Sequence, residues 1–256
     1  MEFLTKQEQM LLGSVPDLSV VDIAAMRGIN SALRITTGPN LMKTVHNLIK
    51  KSVLLSLKKG LYYTVKPGSS ADMLRVAGYV FEGYLGLGTA LFIHGARSDY
   101  PTVIQIVTPG KTRSERIVQG TAFAAVPFGK LCYGSIEIDG MIVSSRGKTL
   151  FDCVFRPDLV GDLGSLFRLI RMAGKEDFAE FIEYADDLKK ASFYERAGYI
   201  LESAGAPKHV VDELRKRLEN RTVVANLGRR TAAARGKFIG SWGVYDNIGI
   251  QRFAVG

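Results

Sequence analysis

Lysine and asparagine side chains recur at helical spacing between residues 40 and 51, and this segment gives the clearest indication of function in the sequence. At about 100° per residue, Leu41, Val45 and Leu48 fall on one side of a helix and the polar side chains fall opposite them. Asparagine can pair bidentately with adenine, and lysine can reach guanine or phosphate, when such a helix enters the major groove of DNA. The expected contacts from this helix are Asn40, Lys43, Thr44, Asn47, Lys50 and Lys51.

A short hairpin with lysines at its turn is predicted directly after this helix. Residues 53–57 and 61–65 are β-prone runs, and the glycine between them can take the positive φ that a tight turn requires. Lys58 and Lys59 are expected at the tip of the hairpin, and Lys66 at its base. Lysines placed in this way hold phosphate and fix position without reading sequence. A basic helix followed by a basic-tipped hairpin is typical of a winged helix-turn-helix domain, which binds double-stranded DNA.

Two short helices are expected before the basic helix. Thr5 and Glu8 have the spacing of a capping box, which predicts a helix over residues 6–14. A second helix is expected to begin near residue 20 and to stop at Gly28. The following connection is then longer than the roughly three- or four-residue turn of a simple helix-turn-helix. Either the basic helix begins earlier and is broken near residue 38, or a small insertion lies here.

The positive charge of the chain is concentrated at its two ends. The 256 residues carry a formal charge of +9, with +5 in residues 1–70, −2 in residues 71–206 and +6 in residues 207–256. A basic module beside a near-neutral body is the electrostatic pattern of a nucleic-acid-binding protein. The length favours two domains, and the polar, turn-rich segment 66–72 predicts their boundary. We therefore expect a DNA-binding domain over residues 1–70 and a second domain over the remainder, 71–256.

The second domain is expected to have an α+β fold. A buried helix or helix pair is predicted within residues 74–94, and β-prone runs between residues 102 and 145 predict a small, mostly antiparallel sheet. From about residue 148 to 220 the apolar residues recur at helical spacing. The sequence from 221 to 256 is basic and glycine-rich, and it is predicted to be irregular. Strands that precede helices in this way favour an α+β domain.

Composition favours a cytoplasmic protein without a membrane span. The balance of 46% hydrophobic and 23% charged residues is that of an ordinary globular protein. The first residues lack the pattern of a signal peptide, and the most apolar segment carries Arg75 and Glu82. Cys132 and Cys153 have no metal-like or redox-like spacing, so we expect both thiols to be free in a reducing compartment.

The catalytic patterns in the sequence are fragmentary. The segments TPGKT at 108–112 and RGKTL at 146–150 lack the first glycine of a phosphate-binding loop. Asp158, Asp187 and Lys189 resemble the acidic set that holds Mg²⁺ in nucleases, which keeps a DNA-processing enzyme as one alternative. The three histidines are far apart and have no cysteine close to them in sequence. We expect no catalytic residue, no cofactor and no metal site.

Four segments resemble the AbiEi-type abortive-infection antitoxins, also described as transcriptional regulators of viral defence systems. In chain order these are NLIKKSVLLSLKKGLYYTV at 47–65, YLGLGTALFIHG at 84–95, VSSRGKTLFDCVFRP at 143–157 and RAGYILESAG at 196–205. The resemblance implies an N-terminal winged helix that represses its own operon. It also implies a second domain that counteracts a cognate toxin with a nucleotidyltransferase-like fold, and no catalytic residue of its own.

The sequence as a whole favours a DNA-binding transcriptional regulator that acts as the antitoxin of a toxin-antitoxin pair. Its expected partners are double-stranded operator DNA and the cognate toxin. Because winged helices often read inverted repeats as dimers, a homodimer is a further expectation. Two alternatives stay open: a nuclease delivered to DNA by its winged helix, and a regulator whose second domain senses a small ligand.

Overall fold

The chain is an α+β protein, and its computed structural model describes residues 3–16, 19–65, 71–111, 114–218, 225–227 and 236–253. The predicted α+β class is confirmed. The N-terminal module, residues 3–65, combines helices with a three-stranded sheet. The larger body, formed by the described residues from 71 onward, contains a six-stranded sheet, the remaining helices and a second three-stranded sheet.

The described N-terminal module contains three helices and three strands. The predicted capping box is present, since Thr5 N donates to Glu8 Oε2 over 2.7 Å and Glu8 N donates to the Thr5 hydroxyl over 3.4 Å. All strand pairings are antiparallel, in the order β1-β3-β2. The elements are α1 Lys6–Gly13, β1 Val20–Asp22, α2 Ile23–Leu33, α3 Gly38–Lys50, β2 Leu54–Lys58 and β3 Leu61–Thr64.

Helix α2 is longer than the sequence predicts, because it does not stop at Gly28. The helix continues to Leu33 and ends where Arg34 adopts a left-handed conformation with φ of 50°. The buried side chain of Asn30 then fixes the turn, since its amide donates to Thr36 O and its carbonyl accepts from Thr36 N, both over 3.0 Å. The connection to α3 is therefore the four residues 34–37, and neither a broken basic helix nor an insertion is present.

The hairpin of β2 and β3 forms as predicted, with Gly60 at φ of 76° in its turn. Its two faces belong to different cores. Leu54 and Tyr62 pack with the helices of the N-terminal module, in a cluster with Leu11, Met26, Leu41, Val45 and Leu48. The alternate residues pack against the larger body, in a cluster with Leu74, Val80, Ile104 and Phe123; they are Leu55, Leu57, Tyr63 and Val65. The hairpin is thus a layer shared by the two parts of the chain.

The six-stranded sheet of the larger body is mixed rather than mostly antiparallel. Its strand order is β6-β7-β5-β4-β9-β8, and the pairs β5/β7 and β4/β9 are parallel. Two strands of this sheet were not predicted: β4, which has two residues in a glycine-rich segment, and β6, which is a polar strand at the sheet edge. The strands are β4 Tyr84–Leu85, β5 Val103–Thr108, β6 Ser114–Val118, β7 Thr121–Pro127, β8 Ser135–Ile138 and β9 Met141–Ser144.

Seven helices of the described residues accompany this sheet. Two lie in the predicted segment 74–94, and five follow β9 as the helical spacing predicts. They enclose an aromatic core that includes Phe151, Phe167, Phe181 and Phe193. The helices are α4 Met73–Val80, α5 Leu87–Ile93, α6 Arg146–Phe155, α7 Leu163–Met172, α8 Lys175–Leu188, α9 Ala191–Ala204 and α10 Lys208–Lys216.

The described part of the C-terminal segment is not irregular, which corrects the prediction for residues 221–256. Strands β10 Ala225–Asn226, β11 Lys237–Ile239 and β12 Val244–Asp246 form a small sheet in the order β10-β12-β11. The buried ring of Trp242 lies where a Cβ on Gly198 would stand, so α9 can approach this sheet only with glycine at that position. Across the described residues, no helix has the length and apolarity that crossing a membrane requires.

Candidate nucleic-acid interface

One face of α3 presents lysine and asparagine side chains to solvent. Asn40, Lys43 and Lys50 are exposed, and Asn47 is half-buried. These four residues are three or four positions apart, so they share one side of the helix. The opposite side is held in place by Leu41, Val45 and Leu48, which are buried in the core of the module. The predicted face therefore exists, although it is narrower than expected.

Thr44 does not belong to this face. Its side chain is buried, and its hydroxyl donates to the carbonyl of Asn40 one turn earlier, over 3.1 Å. Lys51 is also withdrawn, because its Nζ lies 2.7 Å from Glu8 Oε2 and 2.9 Å from Phe3 O. The two corrections have different causes. Thr44 stands three residues after Leu41 and four before Leu48, so it lies on the buried side of α3, whereas Lys51 is engaged because α1 packs against α3. The two predicted contacts are thus engaged within the module.

The ion pair between Lys51 and Glu8 also changes the titration of the acid. Burial raises the pKa of the Glu8 carboxyl, but the hydrogen bonds from Lys51 and Thr5 outweigh burial, and the net shift of this pKa is downward. The other acidic residue described before residue 66 is Asp22, whose carboxylate caps α2 by accepting from Ala25 N over 2.7 Å. Among the described residues of the module, both acids are engaged away from the exposed face of α3.

The tip of the hairpin is basic and exposed, as predicted for Lys58 and Lys59. Its backbone is attached to the start of α2, since Ile23 N donates to Gly60 O over 2.9 Å. Lys66, the predicted contact at the base of the hairpin, lies outside the described residues. No ion pair of Lys43, Lys50, Lys58 or Lys59 occurs within the part of the chain that the structure describes.

Two arginines that the sequence analysis missed lie beside this face. Arg27 on α2 and Arg34, the residue that ends this helix, are exposed and line a groove of about 880 Å³ between α2 and the start of α3. Ser31, Thr37 and Asn40 line the same groove. Arg27 and Ser31 are four positions apart and share one side of α2 once this helix continues past Gly28, and Arg34 follows at its C-terminal end. The groove adds two positive charges to those of α3.

The larger body contains a buried charged network around Lys148. Lys148 is fully buried, with Nζ 2.5 Å from Asp152 Oδ1, and Tyr84 donates to Asp152 Oδ2 over 3.0 Å. Burial raises the pKa of Asp152 to about 6, although Lys148 and Tyr84 act to lower it. Five rings surround the ammonium with centroids 4.7–5.8 Å away: Tyr84, Phe128, Tyr133, Phe151 and Tyr184. This network ties α6 to the sheet.

The two acids of the nuclease alternative each contact a side chain outside the acidic set. Asp158 forms a forked ion pair with Arg156, with both N–O distances at 3.0 Å, and Asp187 accepts from the Tyr133 hydroxyl over 2.7 Å. The described residues contain no cluster of three His, Cys, Asp or Glu side chains that could hold a metal ion. Cys132 and Cys153 are free, and burial raises the pKa of both thiols. Asp158 and Asp187 are thus each engaged with a neighbouring side chain.

A cleft of about 610 Å³ lies where the N-terminal module meets the larger body. Val20 and Tyr63 line it from the module, and Asp72, Arg75 and Tyr79 line it from the larger body. Arg75 Nε is 3.3 Å from Asp72 Oδ2, and both side chains are about half exposed. The cleft thus offers one aromatic wall and one charged pair to solvent.

No protein-family model matches the sequence, and no curated protein matches it. Among solved structures, the RV2827C protein from Mycobacterium tuberculosis is similar, with a TM-score of 0.67 and 14% sequence identity. The match covers 97% of this chain and 92% of that chain. At this identity the likeness shows a shared fold over nearly the whole length of both proteins.

Proposed function

We propose that the chain is a DNA-binding transcriptional regulator whose residues 3–65 form a winged helix-turn-helix. The observation that carries this proposal is the exposed face of α3, with Asn40, Lys43, Asn47 and Lys50, on the same module as an exposed, lysine-tipped hairpin. The four-residue turn between α2 and α3 and the three-stranded sheet behind them support the same domain class. In this arrangement α3 enters the major groove and the hairpin lysines hold phosphate.

The electrostatics of the module support binding to a polyanion. Six exposed cations lie on α2, at the residue that ends it, on α3 and at the hairpin tip. The described acids of the module are engaged with Lys51 and with the start of α2. Each ammonium that neutralises a phosphate releases a condensed counterion, so the affinity should depend steeply on salt. The six cations are Arg27, Arg34, Lys43, Lys50, Lys58 and Lys59.

The test is a salt titration of binding to duplex DNA taken from upstream of the chain's own gene. Single replacement of Lys43, Lys50, Lys58 or Lys59 by alanine should weaken binding to every duplex and flatten the log–log salt slope by about 0.9 for each lost contact. Lys130→Ala, which removes an exposed lysine of the larger body, is the charge-matched control and should leave the slope unchanged. Wild-type slopes in all four module variants would contradict the proposal.

We further propose that the regulator acts as an antitoxin, with the larger body counteracting a nucleotidyltransferase-like toxin. The support is the resemblance in residues 84–95, 143–157 and 196–205. Residues of these segments make buried contacts within the larger body: His94 Nε2 lies 2.8 Å from Ser144 O, Lys148 pairs with Asp152, and Gly198 packs on Trp242. The resembling segments therefore build the interior of the larger body, and the toxin would bind to the surface of that body. Binding to the upstream duplex, and growth on expression, should both change when the neighbouring gene product is added.

The cleft between module and body favours a second candidate, which is a regulator that senses a small ligand. Its volume is within the usual range of about 300–1,000 Å³ for ligand sites. Because its lining comes from both parts of the chain, an occupant could change how the module is held. Arg75→Ala should abolish the effect of such a ligand on DNA binding, whereas an antitoxin without an effector should bind DNA equally well with this substitution.

A further inference from the structure

The hairpin has an irregularity one residue before its basic tip. The pairing of β2 with β3 shifts between Ser56 and Lys58, so Leu57 has no partner in the ladder. A bulged residue leaves its polar backbone groups outside the ladder and bends the strand. The carbonyl of Leu57 is nevertheless satisfied, because Arg116 Nη1 donates to it over 3.2 Å. The hydrogen bond comes from a distant part of the sequence.

Arg116 belongs to the larger body and is itself held in place. It lies in β6, the edge strand of the six-stranded sheet, and its guanidinium lies over the ring of Phe81 with 5.4 Å to the centroid. A planar guanidinium on an aromatic face loses less side-chain freedom than an ammonium would when it donates a hydrogen bond. The donor is therefore oriented before it meets the hairpin.

The side chain of Leu57 provides a second attachment at the same point. It is 1% exposed and packs in one cluster with Val118 and Phe123 of the larger body. The residue immediately before Lys58 is thus held through both its side chain and its carbonyl. On the other side of the turn, Gly60 O accepts from Ile23 N. The two exposed lysines lie between these two backbone anchors.

We propose that Arg116 is a positioning residue for Lys58 and Lys59, which fixes the bulged backbone so that both ammonium groups reach phosphate in one arrangement. This inference rests on the proposed DNA-binding function and assigns a residue of the larger body to it. A hairpin tip that is ordered before binding loses less conformational entropy when the complex forms. The larger body thereby contributes to DNA affinity without touching DNA.

The rival explanation is that Arg116 contacts phosphate directly, since its side chain is exposed. A double-mutant cycle on duplex binding separates the two. Arg116→Ala should weaken binding about twofold to tenfold, as expected for one hydrogen bond. In a chain that already carries Lys58→Ala and Lys59→Ala, the same change should have an effect of less than about twofold, because the groups it positions are gone. Equal effects in both backgrounds would overturn the proposal in favour of a direct contact.

A variant that changes no charge tests the positioning role of Arg116 independently. Phe81→Leu removes the ring beneath the guanidinium and changes no charge, so it should reduce affinity in the same direction as Arg116→Ala, and only when Lys58 and Lys59 are present. A direct phosphate contact predicts no dependence on these lysines. Thermal unfolding of each variant shows whether the fold is kept, and Lys130→Ala serves as the control for loss of charge.

The cycle also separates this inference from the proposed function. If Lys58→Ala with Lys59→Ala weakens binding and Arg116→Ala does not, the positioning role is wrong and the winged-helix proposal stands. If the paired lysine substitutions leave binding unchanged, the role of the hairpin in DNA binding fails, and the role of Arg116 fails with it.

Discussion

Lysines on α3 and on α6 have opposite environments in this protein. Lys43 and Lys50 on α3 are exposed, whereas Lys148 on α6 is fully buried against Asp152 and five aromatic rings. Lys51 is intermediate, with 15% of its side chain exposed and an ion pair to Glu8. The neighbours that the fold brings to a lysine therefore decide whether its charge is available to a ligand.

The physical reason for the difference is the free-energy cost of removing a charge from water. A buried ammonium must be compensated by a carboxylate and by favourable ring contacts, whereas an exposed one keeps its hydration. Asp152 lies one helical turn after Lys148, so the compensating acid is local, and Tyr84 satisfies the second oxygen of the carboxylate. The exposed face of α3 has no acid at the corresponding spacing.

The largest effect should follow from breaking the buried pair. Asp152→Asn removes the negative charge at nearly constant volume and leaves the Lys148 ammonium uncompensated. We expect the free energy of unfolding to fall by about 3–5 kcal/mol. Urea denaturation followed by fluorescence of Trp242, the single tryptophan of the chain, measures this change. The matched control is Lys148→Met combined with Asp152→Leu, which removes both charges and should recover much of the loss; a double variant as unstable as the single one would contradict this account.

A smaller loss of stability is expected when the ion pair of Lys51, the partly exposed lysine, is broken. Glu8→Gln removes the partner of Lys51 and should lower the free energy of unfolding by about 1–3 kcal/mol at neutral pH, as expected for a hydrogen-bonded charge. The pKa of Glu8 is lowered from 4.5 by folding, so its stabilisation is present above that pH and is lost as the pH falls through the lower folded-state value. The stability difference between the two proteins should therefore shrink as the pH is lowered below 4.5. A difference that stays constant between pH 7 and pH 3 would place its origin elsewhere.

The smallest change in stability is expected at the exposed lysines. Lys43→Ala and Lys50→Ala break no ion pair of the described residues and should each change the free energy of unfolding by less than about 0.5 kcal/mol. The same variants should still lose affinity for duplex DNA. If either of them unfolds as easily as Glu8→Gln, the contrast between free and engaged lysines on α3 is wrong.

Local rules in the sequence predicted the elements that carry the candidate interface. The capping box of Thr5 and Glu8, the apolar stripe of α3 and the turn at Gly60 each depend on residues within a few positions of one another. The engagement of Lys51 depends on Glu8, 43 residues away, and no local pattern contains it. The burial of Thr44 is different, because this residue stands three positions after Leu41 and four before Leu48, and helical spacing alone places it on the buried side of α3.

A local rule is weak at Gly28. A single glycine is compatible with a helix interior, so the predicted stop at this residue is wrong, and α2 continues to the turn that carries Arg34. Strand β6 carries Ser114, Glu115 and Arg116, and exposed edge strands lack the apolar alternation that identifies a strand. The missed strand is the one that reaches the hairpin.

The two-sided hairpin limits how the N-terminal module can be used apart from the chain. A graft of residues 3–65 onto an unrelated carrier would leave four apolar side chains of the hairpin without their present neighbours: Leu55, Leu57, Tyr63 and Val65. Such a chimera would need polar residues at those four positions, or a carrier with a complementary apolar surface that covers them. Only then could the lysines of the module be tested in isolation.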